Sequence, residues 1–418
     1  MSTATITSTA APRARSNHRA AFWSVAYAFA AMLAFSAVPT PLYGIYQHRD
    51  GFSSFAVTVI FAAYAVGVVI SLFTVGHLSD WHGRRRLMVP ALAAGIVSAV
   101  VFLAWKDLPG LIMARVIGGL GVGAITPTAT AWLAELHGTD RPRASVRRAQ
   151  IVATAANLGG IGIGPLVSGA LAQWVAAPLT VPYVVCLVAL IAALALVAIS
   201  PETREPIVPR PRYRAQRVAV PADARTAYIA SGIAAAIAFA AFGLFTSLAP
   251  TFLADTLHRG SHLLAGASAF SVFAAAVLAQ SVLAAQPART LLRGGIAGLL
   301  TGLGLLVAAV WLGQPSLALF VIGGVIAGAG AGTVFKGAVA TVSAMAVPAR
   351  RAEALAGMFL AGYAGLSVPV LGLGILTQYA SARVSLLAFA GFLTAVLLPA
   401  TPALVGAQRP AVSTRSGT

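Results

Sequence analysis

Charged side chains are scarce in this chain, and those that interrupt its apolar stretches are the residues whose chemistry needs explaining. Asp, Glu, Lys and Arg make up 9% of the 418 residues, whereas 59% are hydrophobic. Arg115 and Lys336 each lie inside a long apolar stretch, and residues 76–86 place Asp80 beside three arginines between two such stretches. A charge inside an apolar helix costs about 2.5–3.5 kcal/mol even on lenient insertion scales, so it should face protein or water. These residues are suited to ion pairing, anion binding or gating.

The elements that carry these charges are predicted to be membrane-spanning helices. The mean hydropathy is +0.87. The apolar residues form runs of about 20 or more, which at 1.5 Å per residue cross a hydrocarbon layer of roughly 30 Å. We predict twelve spans, near residues 20–45, 53–76, 86–105, 109–134, 147–175, 180–199, 225–254, 262–285, 294–313, 316–346, 352–379 and 384–406.

The basic residues predict how these spans are oriented. The two tails (1–19 and 407–418), the linker 201–225 and the loops after even-numbered spans hold 22 arginines, against four basic residues in the opposite loops. Because Lys and Arg are enriched in cytoplasmic loops, both termini are expected in the cytoplasm of a bacterium, with the chain in its inner membrane.

The sequence also repeats at an offset of 205 residues. Residues 115–124 match residues 320–329 at six of ten positions, and residues 39–42 echo residues 250–253. The 205-residue offset also places Gly160 on Gly365. We therefore predict an all-α membrane protein with twelve transmembrane helices in two pseudo-symmetric six-helix bundles, residues 20–200 and 226–406.

The 76–86 segment resembles the loop 2–3 motif of the major facilitator superfamily, Gly-x-x-x-Asp-(Arg/Lys)-x-Gly-Arg-Arg. The matching residues are Gly76, Asp80, Gly83, Arg84 and Arg85, while Trp81 stands where a basic residue is usual. The resemblance implies that Asp80 caps the start of helix 11 and that the arginines engage an acid near helix 4, here Glu135. A carboxylate is stabilised at a helix N-terminus, so this contact would clasp the cytoplasmic side. An ordinary basic anchor at the membrane surface is the alternative.

Two further segments resemble motifs of the same family. Leu111-x-x-x-Arg115-x-x-Gly118-Gly119 is similar to its helix 4 motif, with Gly118 in place of glutamine. This implies a functional interior arginine, although Arg115 could instead extend its side chain to the outer interface. The helix 5 motif of proton-driven exporters is matched by Gly160, Gly164, Pro165 and Gly169, with Ser168 replacing one glycine. This second resemblance favours efflux over uptake.

Six residues are candidates for contact with a transported solute or a coupling ion: Arg115, Lys336, Asn157, Gln280, Tyr43 and Phe245. Arg115 lies about 9 Å along its helix from the outer end and Lys336 about 29 Å along its own, so they are not expected to clamp one anion together. Lys336 could bind an acidic solute group, pair with Glu353 or Glu135, or extend to the cytoplasm. The amides could equally make interhelical hydrogen bonds, and the aromatic rings could simply pack.

The residues inside the spans indicate transport rather than catalysis. No paired acid, Ser/His arrangement or metal-binding histidine pair falls inside the spans, so no enzyme, metal or cofactor is expected. None of the ten acids lies in mid-span, and Glu135, Asp255 and Glu353 at span ends are the nearest proton carriers. We predict a monomeric secondary transporter in the lipid bilayer that exports a small organic or drug-like solute against protons and binds no nucleic acid. The alternative is a permease or exchanger for a small anionic metabolite that uses Arg115 and Lys336.

Overall fold

The computed structural model describes residues 12–76, 78–140, 145, 147–204, 213–220 and 224–406. Helices dominate this part of the chain, and it contains no β-strand. Twelve helical segments are long and apolar enough to cross a membrane: His18–Asp50, Ser54–Thr74, Arg84–Ala104, Leu108–Asp140, Arg147–Trp174, Val181–Ala198, Arg225–Ser247, His262–Ala285, Ala288–Trp311, Leu317–Met345, Arg351–Tyr379 and Ala382–Gly406. They are numbered span 1 to span 12, and they confirm the predicted fold class.

The structure changes several predicted boundaries. Its first helix begins at Pro12, inside the segment predicted as a tail, and span 4 continues to Asp140. The predicted linker is described only in part: residues 213–220 form neither helix nor strand, and residues 205–212 and 221–223 lie outside the described residues. Residues 141–144 and the predicted tail 407–418 also lie outside them.

The two ends of the helical structure differ in charge, and we name the two faces after this difference. The arginine-rich face carries the turn between spans 2 and 3 and the other connections that follow even-numbered spans. The arginine-poor face carries the connections that follow odd-numbered spans. Arg84, which begins span 3, and Glu135, near the end of span 4, meet at the arginine-rich face.

Spans 1 and 7 are both interrupted near the arginine-poor face. The first helix ends at Ala37, and a short 3-10 turn, Thr40–Leu42, precedes the next helical segment. Span 7 ends at Ser247, not at the predicted residue 254, and a separate helix Ala249–Asp255 follows. The two interruptions coincide with the sequence echo between residues 39–42 and 250–253, where proline removes a backbone donor.

The packing of small residues repeats between the two bundles. A Cβ on Gly160 of span 5 would lie against the Ala30 carbonyl of span 1, and one on Gly365 of span 11 against the Ala236 carbonyl of span 7. The contact partners are separated by nearly the same number of residues as the glycines. The two six-helix bundles are therefore related by pseudo-symmetry, as the repeat predicts.

The bundles meet along two helix pairs. Span 5 packs on span 8, where Gly169 lies against His262, and span 11 packs on span 2, where Gly374 lies against Thr58. Thr40 Oγ1 also donates a hydrogen bond to the Thr246 carbonyl at 3.0 Å, joining spans 1 and 7. All these contacts lie toward the arginine-poor face, where the bundles are closed against each other.

Candidate functional site: a central cavity and a charge cluster

A cavity of about 290 Å³ lies between the two bundles. Spans 1, 2, 4 and 5 form one wall, and spans 7, 8, 10 and 11 form the other. Thr126, Thr130 and Phe359 also line an adjoining space of about 450 Å³, which reaches Leu72 and Leu355. Leu72 and Leu355 lie at the arginine-rich ends of spans 2 and 11, so the cavity opens toward that face.

Arg115 faces the interior of the protein and does not extend to the surface. The residue is 4% exposed and lines the cavity. One guanidinium nitrogen, Nη1, donates to the Ser36 carbonyl, and the guanidinium carbon lies 4.5 Å from the centre of the Tyr64 ring and 5.7 Å from that of Phe61. Aromatic faces stabilise a cation, so two rings of span 2 hold this charge in place of a carboxylate.

Lys336 occupies a different environment from Arg115. Its Nζ donates to the backbone carbonyl of Gln280, linking span 10 to span 8, and it is not among the residues that line the cavity. Among the described residues Lys336 forms no ion pair with Glu353 or Glu135, and Glu135 pairs with Arg84 and Arg204 instead. Lys336 thus ties two helices of one bundle together.

The two candidate amides lie where a solute would contact them. Asn157 and Gln280 line the cavity from spans 5 and 8, which belong to different bundles. Asn157 sits in a π-helical segment, Ala155–Gly159, just before the helix 5 motif. Such segments interrupt the regular backbone pattern and are frequent at functional sites.

The two candidate aromatics do not line the cavity. Tyr43 follows the interruption of span 1 and is buried, and Phe245 packs against Phe320 with ring centres 5.9 Å apart. Other rings that line the cavity are Phe239, Phe242, Phe273, Phe335, Phe359 and Tyr363. Tyr43 and Phe245 thus pack inside their bundles here, and their contact with a solute stays a prediction, because a sequence gives the depth of a ring along a helix and not the direction in which it points.

A charge cluster lies at the arginine-rich face, formed by Asp80, Arg84, Glu135, Glu202 and Arg204. Its centre is the Arg84 side chain, which is 5% exposed. Arg84 Nη1 lies 2.7 Å from Asp80 Oδ1, and Nη2 lies 2.8 Å from Glu135 Oε1. The contact between this arginine and Glu135 that the resemblance implies is therefore present.

Asp80 does not cap helix 11 in this structure. Its side chain is 52% exposed, and its ion pairs among the described residues are with Arg84 and, at 4.0 Å, with Arg204. Leu72 near the end of span 2 and Leu355 near the start of span 11 both line the space that adjoins the cavity. The Asp80 carboxylate therefore lies with the arginines of the cluster and not at the start of span 11.

Glu202 is a residue of the charge cluster that was not among the residues predicted from the sequence. Its carboxylate accepts the backbone N–H of Arg84 at 2.8 Å and of Arg85 at 3.0 Å, which caps the start of span 3. Gly83 makes room for it: its φ is +104°, and an added Cβ would lie 2.6 Å from Glu202 Oε2. Thr203 Oγ1 also donates to Glu135 Oε2 at 2.6 Å. The signal available was the acid at the end of span 6, on the same predicted face as Asp80 and Arg84.

Two of the remaining motif residues have packing roles. Gly76 is buried in the turn after span 2, where an added Cβ would lie 2.9 Å from the Leu72 carbonyl. Arg85 donates to the carbonyls of Ala198 and Ser200, so it holds the end of span 6 against the start of span 3. The hydrogen bonds of Arg85 and Glu202 together hold the start of span 3 to the end of span 6.

The residues of the helix 5 motif pack at two helix interfaces. Gly160 and Gly164 lie against Ala30 and Ala34 of span 1 within one bundle, whereas Gly169 lies against span 8 of the other. Pro165 also lies at the second interface, since its carbonyl would contact a Cβ on Gly266 of span 8. Ser168, the residue that departs from the motif, donates to the Val38 carbonyl at 2.9 Å at the interruption of span 1.

Gly169→Val should weaken closure of the bundles at the arginine-poor face, because its side chain would meet the His262 carbonyl. With Cys186 replaced by serine, Thr40→Cys should then react with an impermeant thiol reagent from that face at least fivefold faster. Gly372→Val is the matched control, since a Cβ there meets nothing within 4 Å. Equal reaction rates in the two glycine variants would contradict this role.

The sequence and the fold are similar to those of known transporters. The Major Facilitator Superfamily model matches residues 21–311. The bacillibactin exporter of Bacillus subtilis is 29% identical over 139 residues, which cover 32% of this chain and 34% of the exporter. The arabinose-proton symporter of the same organism is 30% identical over 100 residues, covering 24% of this chain and 22% of the symporter. These alignments thus span about a third or less of the relatives' lengths.

A crystal structure of a mutant of the nucleoside transporter NupG superposes with a TM-score of 0.70 at 11% identity. The superposition covers 92% of this chain and 99% of that one. At this identity the likeness concerns the fold alone.

Proposed function

Since the chain belongs to the major facilitator superfamily, we propose that it moves a small organic solute across a bacterial inner membrane by alternating access to the central cavity. The observation that carries the proposal is a cavity between two pseudo-symmetric bundles, closed at one face and open toward the other. Rocking of the two bundles about spans 2, 5, 8 and 11 would close the cavity at the arginine-rich face and open it at the arginine-poor face. Both termini are proposed to be cytoplasmic, which makes the arginine-rich face the inner one.

Export coupled to protons is the direction we propose. The helix 5 motif supports it, since the motif resembles that of proton-driven exporters and its Gly169 lies at the interface between the two bundles. The similarity to an exporter also supports it, whereas the similarity to a proton symporter supports only the coupling ion. The cavity has no carboxylate among its described lining residues, so the proposed proton carriers remain the acids at span ends, Glu135, Asp255 and Glu353.

Transport of a small anionic metabolite is the second candidate, and one observation favours it. Arg115 brings a positive charge to the cavity wall without a described acid beside it. Lys336 has no part in this version of the proposal, because it contacts the Gln280 backbone.

Inside-out membrane vesicles that contain the chain should accumulate a fluorescent organic solute when a pH gradient is imposed, and release it when the gradient is collapsed. Cells that overproduce the chain should also tolerate higher concentrations of the same solute. Carboxylate flux that ignores the gradient would favour the second candidate. Flux no greater than in vesicles without the chain, across a broad solute panel, would contradict transport.

The charge cluster is proposed to gate the arginine-rich face. When that face closes, Asp80 would leave Arg84 and Arg204 and cap the start of span 11, as the family resemblance implies. The half-exposed position of Asp80 leaves it free to make this exchange.

Asp80→Asn should slow turnover at least fivefold and change the solute affinity less than twofold, because the residue contacts the gate and not the cavity. The measurement is kcat and KM for solute flux in proteoliposomes. Asp107→Asn, in a loop of the arginine-poor face, is the control and should change neither constant. An unchanged kcat in Asp80→Asn would remove the gating role.

A further inference from the structure

The walls of the cavity combine aromatic faces with an excess of hydrogen-bond donors. On one side, Phe239 of span 7 packs against Phe335 and Tyr363 in tilted and edge-to-face arrangements, with ring centres 5.1 and 5.3 Å away. On the other side, Tyr64 and Phe61 flank the Arg115 guanidinium. The described lining includes no Asp or Glu, so the guanidinium has no carboxylate partner within the cavity.

Two buried donors in this lining lack a hydrogen-bond partner among the described residues. They are Arg115 Nε and Gln280 Nε2, on residues that are 4% and 7% exposed. Arg115 belongs to the first bundle and Gln280 to the second, and both line the same cavity. A buried donor without an acceptor is unfavourable, so a ligand that supplies an acceptor to each is stabilised at both positions.

The two donors lie at different depths, which bears on the shape of the ligand. Arg115 is seven residues from the arginine-poor end of span 4, which is about 10 Å along the helix. Gln280 is five residues from the arginine-rich end of span 8, about 8 Å along the helix. The donors therefore lie toward opposite ends of the cavity, with the aromatic rings between them.

The charges of the cavity exclude other ligand classes. An organic cation would meet the Arg115 charge and find no described carboxylate to pair with. A neutral apolar molecule would leave both donors without acceptors. A flat aromatic ring, by contrast, packs favourably on the aromatic walls.

We infer that the cavity binds an elongated aryl monoanion, with its carboxylate at Arg115, its rings between the aromatic walls and a neutral acceptor at Gln280. The inference rests on the proposed function, since it names the solute class of the same cavity. A guanidinium presents a planar set of donors that suits a carboxylate. A cavity of about 290 Å³ suits a molecule of two rings. Because its ends are bound by different bundles, such a ligand also links its own binding to the relative position of the bundles.

Three probes of nearly equal length test the inference on the unmodified chain. The first is 4-[(4-acetylphenyl)ethynyl]benzoate, which has a carboxylate at one end and a ketone carbonyl at the other. The second is 4-[(4-acetylphenyl)ethynyl]benzamide, which is neutral, and the third is 4-[(4-isopropylphenyl)ethynyl]benzoate, which lacks the terminal carbonyl. Binding to the purified full-length protein, measured by calorimetry, should be at least tenfold weaker for the neutral probe and at least threefold weaker for the probe without the carbonyl. Equal affinity of the anionic and neutral probes would overturn the inference.

Variants then assign each end of the probe to its residue. Arg115→Gln should remove the preference for the anion, and Gln280→Leu should remove the preference for the terminal carbonyl while keeping that for the anion. Lys336→Gln removes a positive charge outside the cavity lining and should change the affinity for the first probe less than threefold. Loss of the anion preference in Lys336→Gln, with its retention in Arg115→Gln, would overturn the assignment. If Arg115→Gln does not fold, the comparison of probes on the unmodified chain still decides.

The failure of this inference is distinguishable from the failure of the proposed function. Proteoliposomes that transport a cationic or neutral solute, but bind no aryl anion, would contradict the inference and leave transport standing. Saturable binding of the first probe without flux of any tested solute would support the inference about the cavity and contradict transport.

Discussion

Arg84→Gln should reduce solute flux at least tenfold and lower the melting temperature of the purified protein, whereas Arg86→Gln should change neither. The Arg84 side chain is 5% exposed and contacts Asp80, Glu135 and Ser79. Without the Arg84 guanidinium, the carboxylates of Asp80 and Glu135 keep only the more distant pairs with Arg204, at 4.0 and 3.9 Å. Removing one partner of a fully buried ion pair costs about 3–5 kcal/mol. Because the Glu135 side chain is 29% exposed, we expect a smaller loss, about 1–3 kcal/mol.

Arg86 provides a matched control for this prediction. It is adjacent in sequence, carries the same charge and is exposed at the start of span 3. A general effect of positive charge at the membrane surface would act through both arginines. Equal loss of flux and stability in the two variants would therefore support an ordinary basic anchor and contradict a specific cluster.

Gly164→Ala should destabilise the protein by about 1–3 kcal/mol, because overpacking a close contact has costs of this size. A Cβ at Gly164 would meet the Ala34 carbonyl of span 1, and backbone atoms cannot move aside as a flexible side chain can. The change should also reduce flux, since spans 1 and 5 both line the cavity. Thermal unfolding in detergent and flux in proteoliposomes measure the two effects.

Gly304→Ala is the control for the substitution itself. It lies in span 9, and an added Cβ there meets nothing within 4 Å. Alanine favours a helix over glycine by about 1 kcal/mol, so this variant should keep or slightly raise the stability. A melting temperature that falls equally in both variants would show that the contact with span 1 is not what makes Gly164 sensitive.

Much of the fold was predictable because membrane spans carry a strong sequence signal. Length and hydropathy gave all twelve spans, and the offset of 205 residues predicted the pseudo-symmetry seen at Gly160 and Gly365. The exact ends of the spans were harder to predict, since span 4 continues beyond its apolar part through polar residues such as His137. The interruption of span 7 also shortened a predicted span, although Pro250 marked the place.

The site was predictable where a residue is charged and harder where it is aromatic. Arg115 was expected inside the protein because a charge in an apolar helix must find an interior partner. That its partners would be Tyr64 and Phe61 required knowing which face of span 2 approaches span 4, although their spacing of three residues places them on one helix face. Glu202 was missed because it lies 67 residues beyond Glu135 in sequence, and only the folded bundle brings both to Arg84.

The most direct test of the central claim is the accessibility of the cavity from each face of the membrane. Thr130→Cys, in a chain with Cys186→Ser, places one thiol at an exposed position that lines the cavity. A small impermeant thiol reagent should modify it at least tenfold faster from the arginine-rich face than from the arginine-poor face, and Gly169→Val should narrow that ratio. Equal modification from both faces, or faster modification from the arginine-poor face, would contradict a cavity that opens alternately between two rocking bundles.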